Sequence, residues 1–351
     1  MNPEDFYERV LGCLAGACIG DAMGAPTEQR TAAEISEIWG GPVETFVAPP
    51  ADSPFSKGRR AGQLTDDSSQ LIALMDVYLN NDGAITAGTV AEMLLAWSET
   101  EYFPRFAGPT TKRAIVALRD GADPEQLGAA GQLSSDGTSN GAAMRVAPVG
   151  LRYPGQPDAA IRDALTSCRP SHFTSIGVAG AAAMAAAVSV AVIPGASLLE
   201  VVGAARRGAE EGARLGRQYG RDAPGPSVSC RIDIGVAAAM RCGCFSDAVQ
   251  AVAQTVGTGL HMAEAVPAAI AIFLAAEGDP FLACVGGANG GDDTDTVACI
   301  AGALAGAYRG FRAIPPDLYA TVLEENQLDL ETRARAFAEL IERKRLDDRP
   351  R

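Results

Sequence analysis

Three aspartates stand close together near the C-terminal end of the sequence, in the stretch GGDDTDT at Gly290–Thr296. They are Asp292, Asp293 and Asp295. Carboxylates this close repel one another unless a cation or solvent separates them. Carboxylate and hydroxyl oxygens are also the ligands that hard divalent ions such as Mg²⁺ prefer. The stretch therefore indicates a divalent-metal site; the alternative is a solvated acidic loop that caps a helix.

A second cluster of the same residue types, TDDS, lies far upstream at Thr65–Ser68. Each cluster runs into an apolar segment, Ser68–Leu79 in one case and Val297–Ala307 in the other. Such segments are typical of buried helices. We therefore predict that both clusters lie at helix starts and that folding brings them together at one metal site.

The elements that must position these clusters are helices. Three segments are rich in Ala and Gly and free of charge: Leu11–Gly20, Ile176–Ile193 and Val297–Ala307. Small side chains allow close helix packing, so we expect these segments at the centre of an all-α bundle with the metal site at one end. No run alternates over enough residues to predict more than a few short strands. No linker divides the chain, which predicts one domain over residues 1–351.

Composition excludes several classes of protein. Hydrophobic residues make up 47% of the 351 residues, as in a soluble globular protein. A net charge of −14 argues against nucleic-acid binding. Ile176–Ile193 is uncharged over 18 residues, but Ala and Gly dominate it, which favours a buried helix over a membrane span. The N-terminus has no apolar export signal, and the eight cysteines are scattered, which together predict a reducing, cytoplasmic location.

Five blocks of sequence resemble, in the same order, those of the ADP-ribosylglycohydrolase family, an all-α family that includes the hydrolase of ADP-ribosylated dinitrogen reductase. The resemblance extends from Leu11 to Gly310. The blocks are GCLAGACIGDAMGAPTE (Gly12–Glu28), GQLTDDSSQ (Gly62–Gln70), SNGAAMRVAPVG (Ser139–Gly150), SH with the Ala-rich segment that follows (Ser171–Ala187), and GGDDTDTVACIAGALAGAYRG (Gly290–Gly310).

The resemblance implies a pair of Mg²⁺ or Mn²⁺ ions held jointly by the two acidic clusters. The matching ligand positions are Thr65, Asp66, Asp67, Asp293, Asp295 and Thr296. Asp292 lies outside this set and is interpreted as a supporting or capping residue. The family also implies that Glu28 lies near the metals and takes part in catalysis with Asp66; the alternative for Glu28 is an ordinary solvated acid after a turn.

The resemblance further implies a substrate-binding loop of Gly, Ser, Thr and Asn residues, which lies against the diphosphate or the distal ribose. The matching positions are Gly137, Thr138, Ser139, Asn140 and Gly141, with His172 near the substrate. Simpler roles stay open, since His172 can cap its helix and Asn140 can stabilise a turn. Arg145 is interpreted as a structural arginine that pairs with an acid.

One position departs from the family pattern. Relatives that cleave ADP-ribosyl-arginine often carry an acid where this chain has Phe106, just before Thr110-Thr111-Lys112-Arg113. An apolar ring cannot pair with a cationic guanidinium. We therefore expect Tyr102–Pro109 and the irregular loop Gly40–Arg60 to form a pocket for a leaving group other than protein arginine, with Phe106 stacking on a flat ring.

The predicted activity is metal-dependent hydrolysis of the glycosidic bond between ADP-ribose, or ribose, and its leaving group. The substrate is then an ADP-ribose-containing or ribosylated small molecule, or an ADP-ribosylated protein. One alternative is an N-ribosyl glycohydrolase of a small NAD-derived or nucleoside metabolite in a biosynthetic pathway. Another is a catalytically silent protein that binds ADP-ribose, although crowded acids are costly to retain without a cation.

Overall fold

The computed structural model describes residues 2–347 of the chain. Eighteen α-helices and two short 3₁₀ helices, Leu127–Ala129 and Phe311–Ala313, make up the regular structure of this part. The α-helices are α1 (Pro3–Gly24), α2 (Ala32–Trp39), α3 (Asp66–Asn80), α4 (Ala87–Trp97), α5 (Tyr102–Phe106), α6 (Pro109–Arg119), α7 (Gly141–Met144), α8 (Ala147–Arg152), α9 (Pro157–Cys168), α10 (Ser175–Ala191), α11 (Leu198–Tyr219), α12 (Val228–Met240), α13 (Phe245–Thr255), α14 (Met262–Ala275), α15 (Pro280–Asn289), α16 (Thr294–Arg309), α17 (Pro316–Asn326) and α18 (Leu330–Asp347).

The all-α prediction is confirmed. Residues 2–347 contain no strand, only two isolated bridges, Ser139 with His261 and Thr174 with Arg221. No helix among the described residues is long and apolar enough to cross a membrane. One continuous hydrophobic core runs from Phe6 to Ile341. The extent of the single domain, residues 1–351, stays a prediction.

The closest helix pair of the core is α1 against α16, and glycines make it possible. A Cβ atom on Gly12 of α1 would lie 2.5 Å from the carbonyl oxygen of Gly306. One turn later, Gly16 lies in the same way against the carbonyl of Gly302, so the helices run antiparallel in register. Any side chain at these positions would drive the two backbones apart. The pair therefore fixes where the end of α1 meets the start of α16.

The second small-residue helix, α10, is buried along almost its whole length and packs against α11, α9 and α16. Its Ala and Gly side chains let these neighbours come close, as predicted for all three small-residue segments. Helix α11 in turn presents a charged outer face to solvent. The three segments thus form the interior of the bundle.

Two local features differ from what the sequence pattern predicts. The Gly and Pro residues of Gly20–Pro26 predict a break of the first helix, but α1 continues to Gly24, because Gly24 packs against Thr294 of α16 and Pro26 lies beyond the helix end. The aromatic and proline residues of Tyr102–Pro109 predict a turn, but the first residues of this segment form the short helix α5. The loop at Gly40–Arg60 is irregular, as expected.

Candidate metal centre

Five carboxylates from distant parts of the chain meet at the junction of α1, α3 and α16. Oxygens of Asp21, Asp67 and Asp295 lie within 4.8 Å of one another, and so do oxygens of Glu28, Asp293 and Asp295. Asp295 therefore belongs to both triads. We call these five residues the acidic centre. Their convergence matches the expectation that the two acidic clusters of the sequence lie together.

Helix α3 places Asp67 through its N-cap. The Thr65 side chain caps the helix by accepting from the Asp67 backbone N–H, and its hydroxyl donates to Asp21 Oδ1 at 2.7 Å. The backbone N–H groups of Thr65 and Ser68 donate to the same carboxylate, as does the Ser68 hydroxyl. Asp21, at the end of α1, thus ties the start of α3 to the α1–α16 pair.

The turn before α16 places the second cluster. Gly291 and Asp292 both adopt the left-handed region, with φ of 88° and 62°. This turn points Asp292 away from the triads, where its backbone N–H donates to Arg30 O and its carbonyl accepts from Gln29 N–H. Asp293 and Asp295 then face the interior of the junction, and Asp293 takes the N-cap position of α16.

Burial and mutual repulsion dominate the electrostatics of the acidic centre. Burial, followed by the charges of Glu28 and Asp67, raises the pKa of Asp295 well above its ordinary value. Burial raises the pKa of Glu28 in the same way, with Asp293 as the largest charge acting on it. Among the described residues, no lysine or arginine forms a salt bridge with any of the five.

The donor set of the acidic centre fits a hard divalent cation. Oδ1 of Asp67 is buried and has no hydrogen-bond partner among the described residues. A buried carboxylate oxygen without a donor is costly unless a cation reaches it. All the groups that converge are carboxylate or hydroxyl oxygens, which are the ligands of Mg²⁺ and Mn²⁺. The structure therefore supports metal binding at this junction.

Two predicted ligands lie at the edge of the triads. Asp66 belongs to neither triad and is 8% exposed, yet burial and the charge of Asp67 raise its pKa well above the ordinary value. Burial and the charges of Asp21 and Asp293 raise the pKa of Asp67 well above its ordinary value. Thr296, buried on the first turn of α16, offsets part of this rise by hydrogen bonding to Asp67. Both residues are thus close to the centre.

The predicted substrate loop, Gly137–Gly141, lies against the acidic centre through Asn140. Burial raises the pKa of Asp293 above its ordinary value, and the Asn140 side chain, which donates to Asp293 Oδ2 at 2.6 Å, offsets part of this rise. The loop is held from both sides, because Thr138 O accepts from Met262 N–H and Gly137 O accepts from the Thr174 hydroxyl. Its Ser139 is half-buried and faces His172.

His172 is fully buried rather than exposed to a substrate. Its Nε2 lies 3.0 Å from Ser139 Oγ, and its Nδ1 lies 2.8 Å from Ser171 Oγ. Burial and the charges of Arg145 and Arg113 hold the pKa of His172 well below its ordinary value, so the ring is neutral. The capping role is taken by Thr174, whose side chain accepts from Gly177 N–H at the start of α10.

The interpretation of Arg145 was wrong in one respect. Arg145 is fully buried, as expected of a structural arginine, but no acid among the described residues forms a salt bridge with it. Its guanidinium donates instead to Gln70 Oε1, Gly141 O and Ser171 Oγ. Burial lowers the pKa of Arg145 to about 10, and the charge of Asp66, one helical turn before Gln70, offsets only part of this effect.

Phe106 is nearly buried and carries a cation on its ring. The guanidinium carbon of Arg59 lies 5.2 Å from the ring centroid of Phe106 and 5.7 Å from that of Tyr102. Arg59 belongs to the irregular loop, and it also donates to Leu64 O at 2.8 Å, just before the start of α3. The loop and α5 therefore meet, with a cation next to the Phe106 ring; the stacking of Phe106 on a ligand stays a prediction.

One member of the acidic centre was missed in the sequence. Asp21 was interpreted only as part of a helix break, whereas it lies inside α1 and is fully buried. The available signal was a single carboxylate within a run of Gly, Ala, Cys and Met residues. A buried acid in such a helix needs hydrogen-bond donors or a cation nearby, and Thr65 and Ser68 supply the donors.

Comparison with known proteins agrees with this geometry. A sequence profile of the ADP-ribosylglycohydrolase family matches residues 2–347. The uncharacterized protein YegU of Escherichia coli is 33% identical over 334 residues, covering 94% of this chain and 96% of its own. ADP-ribosylhydrolase ARH3 of Bos taurus is 29% identical, covering 88% of this chain and 86% of its own.

An ADP-ribosylarginine hydrolase of Pseudomonas putida is 26% identical, covering 90% of this chain and 75% of its own. Among solved structures, an ADP-ribosylglycohydrolase-related protein complex superposes with a TM-score of 0.69 at 21% identity, over 96% of this chain and 99% of the other, which shows a shared fold. With the whole-chain profile match, these findings confirm that the chain belongs to the ADP-ribosylglycohydrolase family of glycosidases.

Proposed function

We propose that this protein is a divalent-metal-dependent hydrolase of the glycosidic bond between ADP-ribose and a leaving group. The observation that carries the proposal is the acidic centre, in which carboxylates from three separate segments converge and no basic residue described by the structure pairs with them. Family membership supports the reaction class, and relatives named for ADP-ribosylhydrolase activity match most of the chain. The cytoplasmic location stays a prediction.

The two triads that share Asp295 support a pair of Mg²⁺ or Mn²⁺ ions. We assign their ligands to the six positions of the two sequence clusters: Thr65, Asp66, Asp67, Asp293, Asp295 and Thr296. Asp21 is saturated by bonds from Thr65 and Ser68, so it orients the start of α3 rather than binding an ion directly. Bound divalent ions supply Lewis-acid stabilisation of ribose oxygens and lower the pKa of a water molecule.

Glu28 is the residue best suited to move a proton. Its pKa lies well above the ordinary value, because it is buried beside Asp293 and other acids. A carboxyl group with a raised pKa can hold or accept a proton near neutral pH, as general acid–base catalysis of glycoside hydrolysis requires. Asp66, with a similarly raised pKa, orients the reacting groups beside it. The Gly137–Gly141 loop binds the diphosphate or distal ribose through its backbone and its small polar side chains.

The direct test is turnover with and without divalent ions. We expect release of free ADP-ribose from ADP-ribosylated substrates in the presence of Mg²⁺ or Mn²⁺, loss of release in EDTA, and recovery when the ion is restored. Equal rates with and without EDTA would contradict the metal-dependent mechanism. Binding of ADP-ribose without release from any substrate tested would instead identify the silent alternative.

We propose that the leaving group is not a protein arginine. It is a neutral or flat heterocyclic group, or the leaving group of another non-arginine conjugate. The supporting observation is Arg59, whose guanidinium already stacks on Phe106 and Tyr102. A second guanidinium placed there would meet the like charge of Arg59, and the acid beside it, Glu101, already pairs with Arg59 at 3.6 Å. A ribosylated small metabolite is the second candidate for the same reason.

The corresponding experiment compares ADP-ribosyl-arginine with a ribosyl–heterocycle conjugate in wild type and Phe106→Asp. We expect the wild type to prefer the heterocycle, and the substitution to improve turnover of the arginine conjugate. Phe55→Asp is the matched control, because Phe55 is an exposed phenylalanine of the same loop region. Efficient cleavage of ADP-ribosyl-arginine by wild type, unimproved by Phe106→Asp, would contradict this view of the pocket.

A further inference from the structure

A chain of buried hydrogen bonds connects Arg145 to the substrate loop. Arg145 donates to Ser171 Oγ at 2.8 Å, Ser171 Oγ lies 2.8 Å from Nδ1 of His172, and Nε2 of His172 lies 3.0 Å from Ser139 Oγ. Arg145 and His172 are fully buried, whereas Ser139 is only half-buried. The chain thus runs from the protein interior to the edge of the site.

The direction of each bond follows from what the groups can donate. A guanidinium only donates, so Ser171 Oγ accepts from Arg145. The hydroxyl hydrogen of Ser171 has no acceptor among the described residues except Nδ1 of His172. Nδ1 therefore carries no proton. In a neutral ring the proton is then on Nε2, which donates to Ser139 Oγ.

Electrostatics favours the same tautomer. The positive charge of Arg145 lies on the Nδ1 side of the ring, behind Ser171, where it attracts a lone pair and repels an N–H dipole. Gly141 leaves the space that the ring occupies, because a Cβ atom at this position would lie 3.2 Å from Nε2 of His172. Gln70 holds the other guanidinium nitrogen, which joins the chain to α3 and hence to the acidic centre.

We propose that Arg145 and Ser171 are positioning residues that fix the Nε2–H tautomer of His172 and so make the Ser139 hydroxyl a hydrogen-bond donor to an acceptor oxygen of the bound ligand. Ser139 Oγ accepts from His172 and has no other partner among the described residues. Its own hydrogen is therefore directed to the site, next to Asn140 and Asp293. The identity of the ligand as an ADP-ribose conjugate rests on the proposed function.

The tautomer can be measured without any substrate, because the chain has only two histidines. Nitrogen NMR of ¹⁵N-histidine-labelled protein, with His261→Asn to assign the signals, reports which ring nitrogen of His172 carries the proton. We expect the neutral Nε2–H form in wild type and its loss or mixing with the Nδ1–H form in Ser171→Ala. A wild-type spectrum of the Nδ1–H form or of the imidazolium would overturn the inference.

The functional arm uses ADP-ribose itself as the probe, with binding measured by calorimetry. We expect Ser139→Ala and Ser171→Ala each to weaken binding by roughly five- to tenfold, as for loss of one hydrogen bond. Because both act through the same hydroxyl, the double variant should bind no more weakly than Ser139→Ala. Additive losses would overturn the positioning role.

Two control variants distinguish a positioning role from a general loss of folding or stability. Ser167→Ala removes another fully buried serine hydroxyl, which donates to Ala164 O away from the site, and it should leave both the spectrum and binding unchanged. Ser171→Thr keeps the hydroxyl and should restore the wild-type tautomer. If wild type does not bind ADP-ribose, the proposed function fails, whereas the NMR spectrum still decides the tautomer.

Discussion

Two regions with buried charge lie near the start of α3, and they compensate the cost of burying that charge in different ways. The acidic centre gathers negative charge, and no basic side chain between residues 2 and 347 forms a salt bridge with it. One helical turn away, Arg145 is a positive charge without a carboxylate partner in the same part of the chain. Burial raises the pKa of the acids and lowers the pKa of Arg145 to about 10.

The difference lies in how the remaining bonds are satisfied. Arg145 donates to three neutral acceptors supplied by the protein, Gln70, Gly141 and Ser171. Each region also leaves one buried polar atom without a partner among the described residues, Nε of Arg145 and Oδ1 of Asp67. The acidic centre differs because its five carboxylates face one another, so their mutual repulsion is relieved only by a cation from outside. We therefore interpret the first region as structural and the second as a candidate metal site.

The strongest test of this comparison removes the carboxylate of Asp295, which both triads share. We expect Asp295→Asn to lower turnover by about a thousandfold or more, since even partners of metal ligands contribute about 10–100-fold each and Asp295 serves both triads. Calorimetric titration with Mg²⁺ should show loss of binding in the same variant. Near-normal turnover with normal Mg²⁺ affinity would show that the acidic centre is not the metal site.

The second test addresses the region around Arg145. Arg145→Met should lower the free energy of unfolding by about 3 kcal/mol or more, because three acceptors lose their donor in a fully buried place. Urea denaturation measures the change. Arg206→Met, at a half-exposed arginine in surface salt bridges, is the control and should change stability by less than about 1 kcal/mol. Equal effects in the two variants would remove the distinction.

A third test asks whether the packing of α1 against α16 positions the carboxylates of the acidic centre. Gly20→Ala places a methyl group against the Ala298 carbonyl of α16, next to Asp21, and should cost about 2 kcal/mol of stability and weaken Mg²⁺ binding. Gly203→Ala is the matched control, since nothing lies within 4 Å of a Cβ there. It should stabilise the protein slightly through helix propensity. A Gly20→Ala variant with unchanged metal affinity would show that the α1–α16 pair does not set the site.

The smallest expected effect is that of Asp292→Asn. Asp292 lies beside the acidic centre but outside both triads, and its φ of 62° is one that asparagine also adopts. Removing its charge should change Mg²⁺ affinity by less than about threefold, through weaker long-range attraction only. A loss as large as that in Asp295→Asn would place Asp292 among the ligands.

The acidic clusters could be predicted because their signal is local. Thr65–Ser68 and Gly290–Thr296 each combine acids and hydroxyls at the start of an apolar helix, and the structure brings them together as expected. The small-residue segments were predictable for a similar reason, since Gly and Ala at helical spacing indicate close packing. Phe106 was also correctly placed next to the irregular loop.

What could not be predicted depends on partners from elsewhere in the chain. Asp21 was missed because Gly20–Pro26 carries the usual signals of a helix end, and only contact with α16 keeps that segment helical. Arg145 was expected to pair with an acid, because no local pattern shows that Gln70 and Ser171 supply its acceptors. The cation on Phe106 likewise comes from a loop residue, Arg59, that carries no periodic signal.

The antiparallel register of α1 and α16 has a consequence for how the protein is made. Gly16 and Gly302 meet although they lie far apart in the chain, so α1 cannot complete this contact until α16 has been synthesised. At ordinary rates of synthesis the interval between the two helices is roughly 15–60 s. The acids of α1 and α3 remain without their partners throughout that time. A nascent chain that lacks α16 therefore lacks Asp295, which both triads share, and cannot complete the acidic centre.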